Sequence, residues 1–343
     1  MVGARETLWR SARSSYLRVL PKALGVHGRR CSLPLQRIVC DFAMENSFRK
    51  ANERMLEQHG FELPLSAIAS ESRIHAEKIA CGQRAESREA NLLPGRGANN
   101  IIAEADGSFV RIVSTNAGSQ DARKTRKVDY QEVRLCAATA QGSREVFYGA
   151  TFDPVDTVAP LWAQAAKRAG MALHSRVHVL ADGAVWIDSQ RVAAFGERGQ
   201  MLIDLYHVLE YLGQAAESCS DNQLRWLKTQ KKRLKTGRSD KVIAELEKHL
   251  EDPAEPELSA PVRRAWRYLD NRRDYLAYDK AIEKNLPLGS GLIESGNKHV
   301  LQARLKIPGA SWNVRTAENF AKTRAMRANQ QWNQYWQDTG KAA

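Results

Sequence analysis

The chain has 343 residues, a formal net charge of +13 and a pI of about 9.6. Its 43% hydrophobic content is enough for a packed core, which excludes a disordered chain. Five cysteines without a CxxC pair exclude a zinc knuckle and a disulfide framework, and they favour the reducing cytoplasm. No apolar run approaches the roughly 18 residues of a membrane span, so we expect no membrane partner.

Three basic segments account for much of the charge excess, and they favour nucleic acid as the partner. Residues 1–40 hold eight Lys and Arg against one acid, and residues 225–241 also hold eight against one. Residues 289–343 hold eight against three. The Arg- and Ser-rich start is similar in composition to a transit peptide. We favour a basic N-terminal arm or a truncated module over residues 1–35.

Residues 36–95 have a helical pattern and form a candidate DNA-binding domain. The pattern predicts a helix between an N-cap at Ser47 and an end at Gly60, then two short helices over 66–81. A helix, a tight turn and a helix in a basic protein resemble a helix-turn-helix unit, although many small helical bundles share this pattern. The polar linker 84–100 predicts a domain boundary.

Residues 96–207 predict a mixed α/β sheet. Alternation over 100–114, interrupted at Asp106-Gly107, indicates a first strand, and residues 132–140 and 145–152 predict two more joined by a hairpin turn. A helix over 158–170, a strand over 177–181, a helix over 186–195 and a strand over 201–204 follow. The order predicts three antiparallel strands and then crossover connections.

The remaining residues read as helices. No strand pattern is convincing over 208–288, which predicts an all-helical insertion. Residues 289–343 complete the core and end in a helix over 314–336.

Two aspartates stand at predicted strand positions, each followed by glycine. Asp106 lies in or at the end of the first strand and Asp182 ends the fourth. Taken singly, an Asp-Gly pair is more often a plain turn. If the two strands are neighbours, the carboxylates meet at one sheet edge and repel, so they need a cation. Oxygen ligands favour Mg²⁺ or Mn²⁺.

A third carboxylate comes from the segment 286–306, LPLGSGLIESGNKHVLQARLK. Ser290 is a candidate N-cap that places Glu294 in the first helical turn. Lys298 lies four residues later on the same face, with Asn297 beside it. These residues suit a site for a metal and a phosphate, whereas the plain alternative is a capped surface helix with an ordinary Glu294–Lys298 pair.

Asp204 and His207 follow the last strand. Asp204 caps the next helix or acts at the metal, and the sequence leaves both interpretations open. His207 contacts phosphate, orders Asp204, or is a satisfied structural histidine.

The segments ADG (181–183), DLYH (204–207) and 286–306 together resemble the DDE transposases of bacterial insertion sequences, in the Mutator-like branch and its Kra group. That branch has a ribonuclease-H-like catalytic domain, a C/D-x-x-H signature after the second Asp, and an all-helical insertion before the catalytic Glu. The resemblance covers about residues 33–336. The chain departs from the family in lacking a cysteine-pair zinc module.

The resemblance implies an α/β fold: a ribonuclease-H-like mixed sheet with an all-helical insertion, preceded by a small helical, helix-turn-helix-like domain. It implies Mg²⁺-dependent cleavage and strand transfer at insertion-sequence ends by a bacterial, nucleoid-associated protein. Asp106 would bridge two ions, Asp182 and Glu294 would each complete one, and His207 and Lys298 would assist near phosphates. The partners would be terminal inverted repeats and target DNA, with a homo-oligomer forming on them. The catalytic candidates are Asp106, Asp182, Glu294, His207 and Asp204, and the DNA-binding candidates are Lys298, Asn297, Arg304, Lys231, Lys232 and Arg233.

Two other functions remain open. One is a catalytically inactive or truncated transposase-derived protein that binds DNA. The other is a ribonuclease-H-like nuclease that cuts without joining strands.

Overall fold

The computed structural model describes residues 8–10, 16–18, 31–86, 92–116, 118 and 121–341. Two three-residue strands, β1 (Leu8–Arg10) and β2 (Tyr16–Arg18), pair antiparallel. The rest of the predicted basic arm before residue 31 lies outside the described residues.

Three helices follow: α1 (Leu33–Glu45), α2 (Phe48–His59) and α3 (Leu65–Glu86). The predicted ends of α2 are confirmed, because Ser47 Oγ accepts a hydrogen bond from the Lys50 amide and Gly60 ends the helix at φ 70°. The two short helices predicted over 66–81 are wrong, since α3 is one continuous helix of 22 residues.

A five-stranded mixed sheet forms the centre of the molecule, in the order β5-β4-β3-β6-β7. β4 pairs antiparallel with both β3 and β5, whereas β6 runs parallel to β3 and β7 parallel to β6. This arrangement confirms the predicted antiparallel start and later crossovers. The strands are β3 (Ala98–Ser114), β4 (Lys127–Ala140), β5 (Phe147–Thr151), β6 (Met171–Ala181) and β7 (Gly199–Ile203).

The predicted interruption of the first strand at Asp106-Gly107 is wrong. β3 pairs with β4 in continuous register from Ile101 to Ser114. Because strand side chains alternate between faces, Glu104 and Asp106 point to the same face of the sheet as Val110. The two crossover helices, α4 (Val158–Arg168) and α5 (Val185–Phe195), cover the opposite face.

An all-helical insertion follows β7, as predicted. Its apolar core includes Leu212, Trp226 and Leu269 and continues into Leu180 and Leu202 of the sheet. The insertion is therefore packed against the end of the sheet where β6 and β7 finish. Its helices are α6 (Leu205–Cys219), α7 (Gln223–Lys235), α8 (Ser239–Glu247), α9 (Pro261–Asp270) and α10 (Tyr278–Glu283).

The chain then returns to the sheet through α11 (Gly291–Gly296), a π-helical turn (Asn297–Gln302) and α12 (Ala303–Leu305). The single helix predicted over 314–336 is instead two, α13 (Val314–Ala328) and α14 (Trp332–Lys341). They are separated by a short turn in which Gln330 has φ 60°.

The N-terminal helices are built onto this core. They have a small apolar cluster of their own around Val39 and Met55. Met44 of α1 also lies in the cluster that contains Leu135 of β4 and Phe320 of α13. The N-terminal helices and the sheet therefore share one packed interior.

No helix in the described part of the chain combines the length and the apolar composition that crossing a membrane requires. None of the five cysteines forms a disulfide.

Candidate functional site

Three of the predicted acids lie where the parallel strands of the sheet stop pairing: Asp106 inside β3, Asp182 just after β6 and Asp204 just after β7. Glu104 is the last residue of β3 that pairs with β6, opposite Leu180. Asp106 lies two residues after Glu104 in β3, and Asp182 lies two residues after Leu180, just beyond the end of β6. Because the two strands are parallel neighbours, both aspartates lie at the same end of their pairing, so they are adjacent as the sequence predicted.

Asp106 is held by two hydrogen bonds. Its Oδ1 accepts from the Gly107 amide at 2.7 Å, and its Oδ2 accepts from Asn297 Nδ2 at 2.6 Å. Burial raises the pKa of Asp106, the Gly107 hydrogen bond opposes the rise, and the Asp182 carboxylate raises the pKa further. The two aspartates therefore repel each other electrostatically, as two anions sharing a site must.

Asp182 begins the loop that follows β6. Its Oδ1 accepts from the Ala184 amide at 2.9 Å, which closes a tight turn around Gly183. Gly183 has φ 86°, a backbone conformation that favours glycine.

Asp204 is a helix cap with both oxygens occupied. Oδ1 accepts from the Tyr206 amide at 2.6 Å, and Oδ2 accepts from the amide and hydroxyl of Ser290. Burial opposes its ionisation, but these bonds and His207 outweigh burial and hold the pKa of Asp204 far below its usual value. Of the two interpretations that the sequence left open, the structure favours the cap over a metal ligand.

His207 stands beside this cap with its side chain 38% exposed, its Nδ1 lying 3.8 Å from Asp204 Oδ2. The Asp204 carboxylate raises the pKa of His207 to about 9, and Asp182 contributes to the rise. His207 is therefore an imidazolium at neutral pH, and its charge in turn lowers the pKa of Asp106. Of the roles that the sequence left open for His207, ordering Asp204 has direct support.

Glu104 is a buried carboxyl group that the sequence analysis missed. It is 2% exposed, and its Oε2 accepts from the Ile293 amide in α11 at 2.8 Å. Burial raises its pKa to about 8, with smaller contributions from Asp204 and Glu294. A charged residue two positions before Asp106 on a half-apolar strand was the available signal. Glu104 fixes α11 against the sheet.

Glu294 lies in the first turn of α11, as predicted, but its side chain is exposed. Ser290 precedes that helix at the predicted cap position, yet its hydroxyl donates to Asp204 and caps nothing. The Glu294–Lys298 ion pair of the plain alternative is absent, although both residues are described. The π-helical turn that begins at Asn297 alters the spacing on which an i,i+4 pair depends.

Asn297 points inward. It is 4% exposed, so the prediction that it contacts DNA at the surface is wrong. Its Nδ2 donates to Asp106, and its Oδ1 is buried without a hydrogen-bond partner among the described residues. An unsatisfied buried carbonyl costs about 1–3 kcal/mol. A cation bound beside Asp106 would give this unpartnered oxygen a partner to coordinate.

Residues 4–335 match the Uncharacterised protein family (UPF0236). The chain belongs to UPF0236. No curated protein matches it. Among solved structures, the crystal structure of NurA with manganese matches at 13% sequence identity over 78% of this chain, with a TM-score of 0.13. The chain spans 65% of the length of that NurA chain, and a TM-score this low supports no conclusion about fold or function.

The donor set of this UPF0236 chain fits a hard divalent cation. Asp106 and Asp182 supply carboxylates, and Asn297 Oδ1 is a further oxygen, which is the ligand type that Mg²⁺ and Mn²⁺ prefer. Among the described residues, no group of three or more His, Cys, Asp or Glu side chains is placed to hold a metal ion. The structure therefore brings Asp106 and Asp182 together without Glu294, and the predicted three-carboxylate centre is incomplete in this arrangement.

Arg304 does not contact a surface ligand, and its prediction as a DNA contact is wrong. It is 3% exposed, its Nε donates to the Ala43 carbonyl, and its guanidinium lies against the rings of Phe48, Trp312 and Phe320. Burial lowers its pKa to about 10.

Of the three α7 residues predicted to contact DNA, only Lys232 is exposed. Arg233 faces Glu245 at 3.7 Å and donates to Gln230, so it serves the packing of the insertion. Lys231 is half-buried and Lys232 is exposed. The exposed cations of α7 recur at helical spacing along one face, which we call the α7 basic face: Arg225, Lys228, Lys232 and Lys235.

Proposed function

We propose that this protein is a DDE-type transposase, a metal-dependent enzyme that cleaves and joins DNA at the ends of an insertion sequence. One observation carries the proposal. Parallel neighbours β3 and β6 bring Asp106 and Asp182 to one sheet edge, where the carbonyl oxygen of Asn297 is buried and unpartnered. The strand order and directions also support a ribonuclease-H-like sheet.

Asp106 and Asp182 would bind Mg²⁺ or Mn²⁺, and Glu294 would join them from α11. The bound ion supplies a Lewis acid that activates a water or a 3′-hydroxyl and stabilises the leaving oxygen. Asn297 orients the Asp106 carboxylate through Nδ2. The His207 imidazolium offsets the negative charge of the pair, and Asp204 holds the Ser290 turn from which α11 starts.

DNA would reach this edge along the surface of the helical insertion. The α7 basic face runs from Arg225 to Lys235, a rise of about 15 Å along the helix axis. Exposed Lys298 directly follows Asn297 in the chain, and Asn297 donates to Asp106. Terminal-repeat and target DNA would bind here and on the N-terminal helices, with a homo-oligomer assembling on the DNA in the bacterial nucleoid.

A second candidate is a transposase-derived protein that binds DNA without cutting it. The absence of a three-carboxylate group among the described residues favours this alternative, as does the Asn297 amide on Asp106.

A strand-transfer assay separates the two candidates. The purified chain is incubated with Mn²⁺, a supercoiled plasmid, and labelled duplexes taken from the DNA that flanks the reading frame. We expect labelled ends to be joined to the plasmid only when Mn²⁺ is present. Cutting without joining would reduce the proposal to a nuclease, and DNA binding without either product would leave only the second candidate.

A further inference from the structure

The helical insertion reaches back to the loop that carries Asp182. Tyr268, near the end of α9, donates its hydroxyl to the Asp182 main-chain carbonyl at 2.6 Å. Arg272, four residues later, donates Nη2 to the Gly183 carbonyl at 2.7 Å. Two consecutive carbonyls of the loop are therefore held by side chains almost 90 residues away in the chain. Neither donor contacts the Asp182 carboxylate, so that group stays available for a ligand.

Both donors are themselves fixed by packing. The Arg272 guanidinium lies 4.3 Å from the centre of the Tyr268 ring and donates Nη1 to the Tyr268 carbonyl. Tyr268 stacks on Tyr211 of α6, with ring centres 4.1 Å apart and an angle of 15° between the ring planes. The ring stack joins α6 and α9, and α6 is the helix that Asp204 caps. The donors thus have little freedom to move away from the loop.

Gly183 makes this contact possible. A methyl group at position 183 would lie 2.1 Å from Arg272 Nε, and the residue already has φ 86°. The close approach of Arg272 therefore explains why the residue after Asp182 is glycine, beyond the need for a turn.

We propose that Tyr268 and Arg272 are positioning residues that set the divalent-cation affinity of Asp182, so that docking of the insertion prepares the metal site. This inference rests on the proposed function. The physical basis is that a metal ligand on a loop loses conformational freedom when it binds, and an already fixed loop loses less. Residues that hold metal ligands in place from outside typically account for about 10–100-fold in metal affinity.

The test is calorimetric titration of the full chain with MnCl₂ in the absence of DNA. The variants are Tyr268→Phe, which keeps the ring stack, and Arg272→Gln, which removes the guanidinium. Arg273→Gln is the matched control, because Arg273 is the exposed neighbour that pairs with Asp270 and Asp240 instead of the loop. Thermal unfolding of each variant identifies a temperature at which all are folded.

We expect the dissociation constant for Mn²⁺ to rise about tenfold in Tyr268→Phe and at least as much in Arg272→Gln, with Arg273→Gln unchanged. Excess Mn²⁺ should then restore DNA cleavage by both variants to the wild-type rate, which loss of folded structure would not allow. If Arg272→Gln does not fold, Tyr268→Phe alone decides the matter.

Wild-type affinity in Tyr268→Phe, or in a folded Arg272→Gln, would overturn the positioning role and leave the proposed function intact. A wild-type chain that binds no Mn²⁺ would overturn the metal site and the positioning role together.

Discussion

Gly289 and Gly291 flank Ser290 in the turn before α11, but their surroundings differ. A methyl group at Gly289 would lie 2.6 Å from two ring carbons of Tyr206. At Gly291 it would meet no atom of the described residues within 4 Å, and neither glycine has a positive φ. The tight packing of Gly289 against the start of α6 brings the chain back from the insertion at a fixed place.

We predict that Gly289→Ala lowers the free energy of unfolding by about 1–3 kcal/mol, because overpacking forces Tyr206 or the turn to move. Gly291→Ala is the matched control and should be neutral or slightly stabilising, since alanine restricts the unfolded chain. Urea denaturation followed by circular dichroism measures both values. Equal destabilisation by the two substitutions would contradict the packing described for the turn.

The sequence predicted the position of Asp106 and Asp182 but misjudged Arg304 and Asn297. An Asp-Gly pair within or just after a strand pattern is visible in the local sequence. The burial of Arg304 depends on Phe48, Trp312 and Phe320, one of which is more than 250 residues away along the chain. Burial of a charged side chain by distant aromatic rings leaves no local signal, so helix-surface reasoning placed Arg304 in solvent.

At the scale of the element, the start of α6 combines a cap with an ion pair. Asp204 accepts from the Tyr206 amide and also faces His207. The folded pKa of His207, about 9, lies above its ordinary value of 6.5. Protonated His207 therefore stabilises the fold. This contribution is complete below about pH 6.5 and is lost as the pH rises through about 9.

We predict that Asp204→Asn returns the pKa of His207 toward about 6.5, because the carboxylate charge that favours the imidazolium is removed. Asparagine can still cap α6 through its one amide oxygen, so the helix should remain folded, although its amide nitrogen cannot accept from the Ser290 amide. An NMR titration of the His207 ring measures the pKa in both proteins. A pKa near 6.5 in the wild-type protein would show that the ion pair does not form.

The return segment shows where sequence periodicity fails. A regular 3.6-residue period places Glu294 and Lys298 on one face, and α11 does start with Glu294 in its first turn. The π-helical turn from Asn297 to Gln302 then inserts an irregularity that no periodic pattern contains. That irregularity aims Asn297 at Asp106, and such turns are frequent at functional sites.

At the scale of the whole molecule, the sequence predicted the sheet and the helical insertion correctly, because alternation and helical periods are strong over these lengths. It did not reveal how the N-terminal helices pack. Met44 of α1 joins the same core as Leu135 and Phe320, and that association depends on contacts between distant parts of the chain. For the same reason the contact of Tyr268 and Arg272 with the loop after β6 was invisible.

The α7 basic face predicts how the affinity for DNA depends on salt concentration. We predict that the double substitution Lys228→Gln and Lys232→Gln weakens DNA binding and reduces the slope of log affinity against log salt by about 2. The reason is that the variant makes two fewer phosphate contacts and therefore releases fewer counterions when it binds. Fluorescence anisotropy over a series of salt concentrations measures the slope.

Matched single substitutions show whether the face or the total charge matters. Lys127→Gln at the start of β4 and Lys232→Gln each remove one exposed charge, and only Lys232 belongs to the α7 basic face. An equal loss of slope in both variants would mean that net charge, not the α7 basic face, governs binding.

The central claim is that Asp106 and Asp182 hold a divalent ion that cleaves DNA, and a plasmid-nicking assay with Mn²⁺ tests it most directly. Wild type, Asp106→Asn, Asp182→Asn and the control Asp129→Asn, an exposed aspartate on β4, are compared at equal DNA binding. We predict that both site variants lose about a hundredfold or more in cleavage rate while the control keeps the wild-type rate. Wild-type cleavage by Asp182→Asn, or cleavage by the wild type that persists in EDTA, would contradict the account.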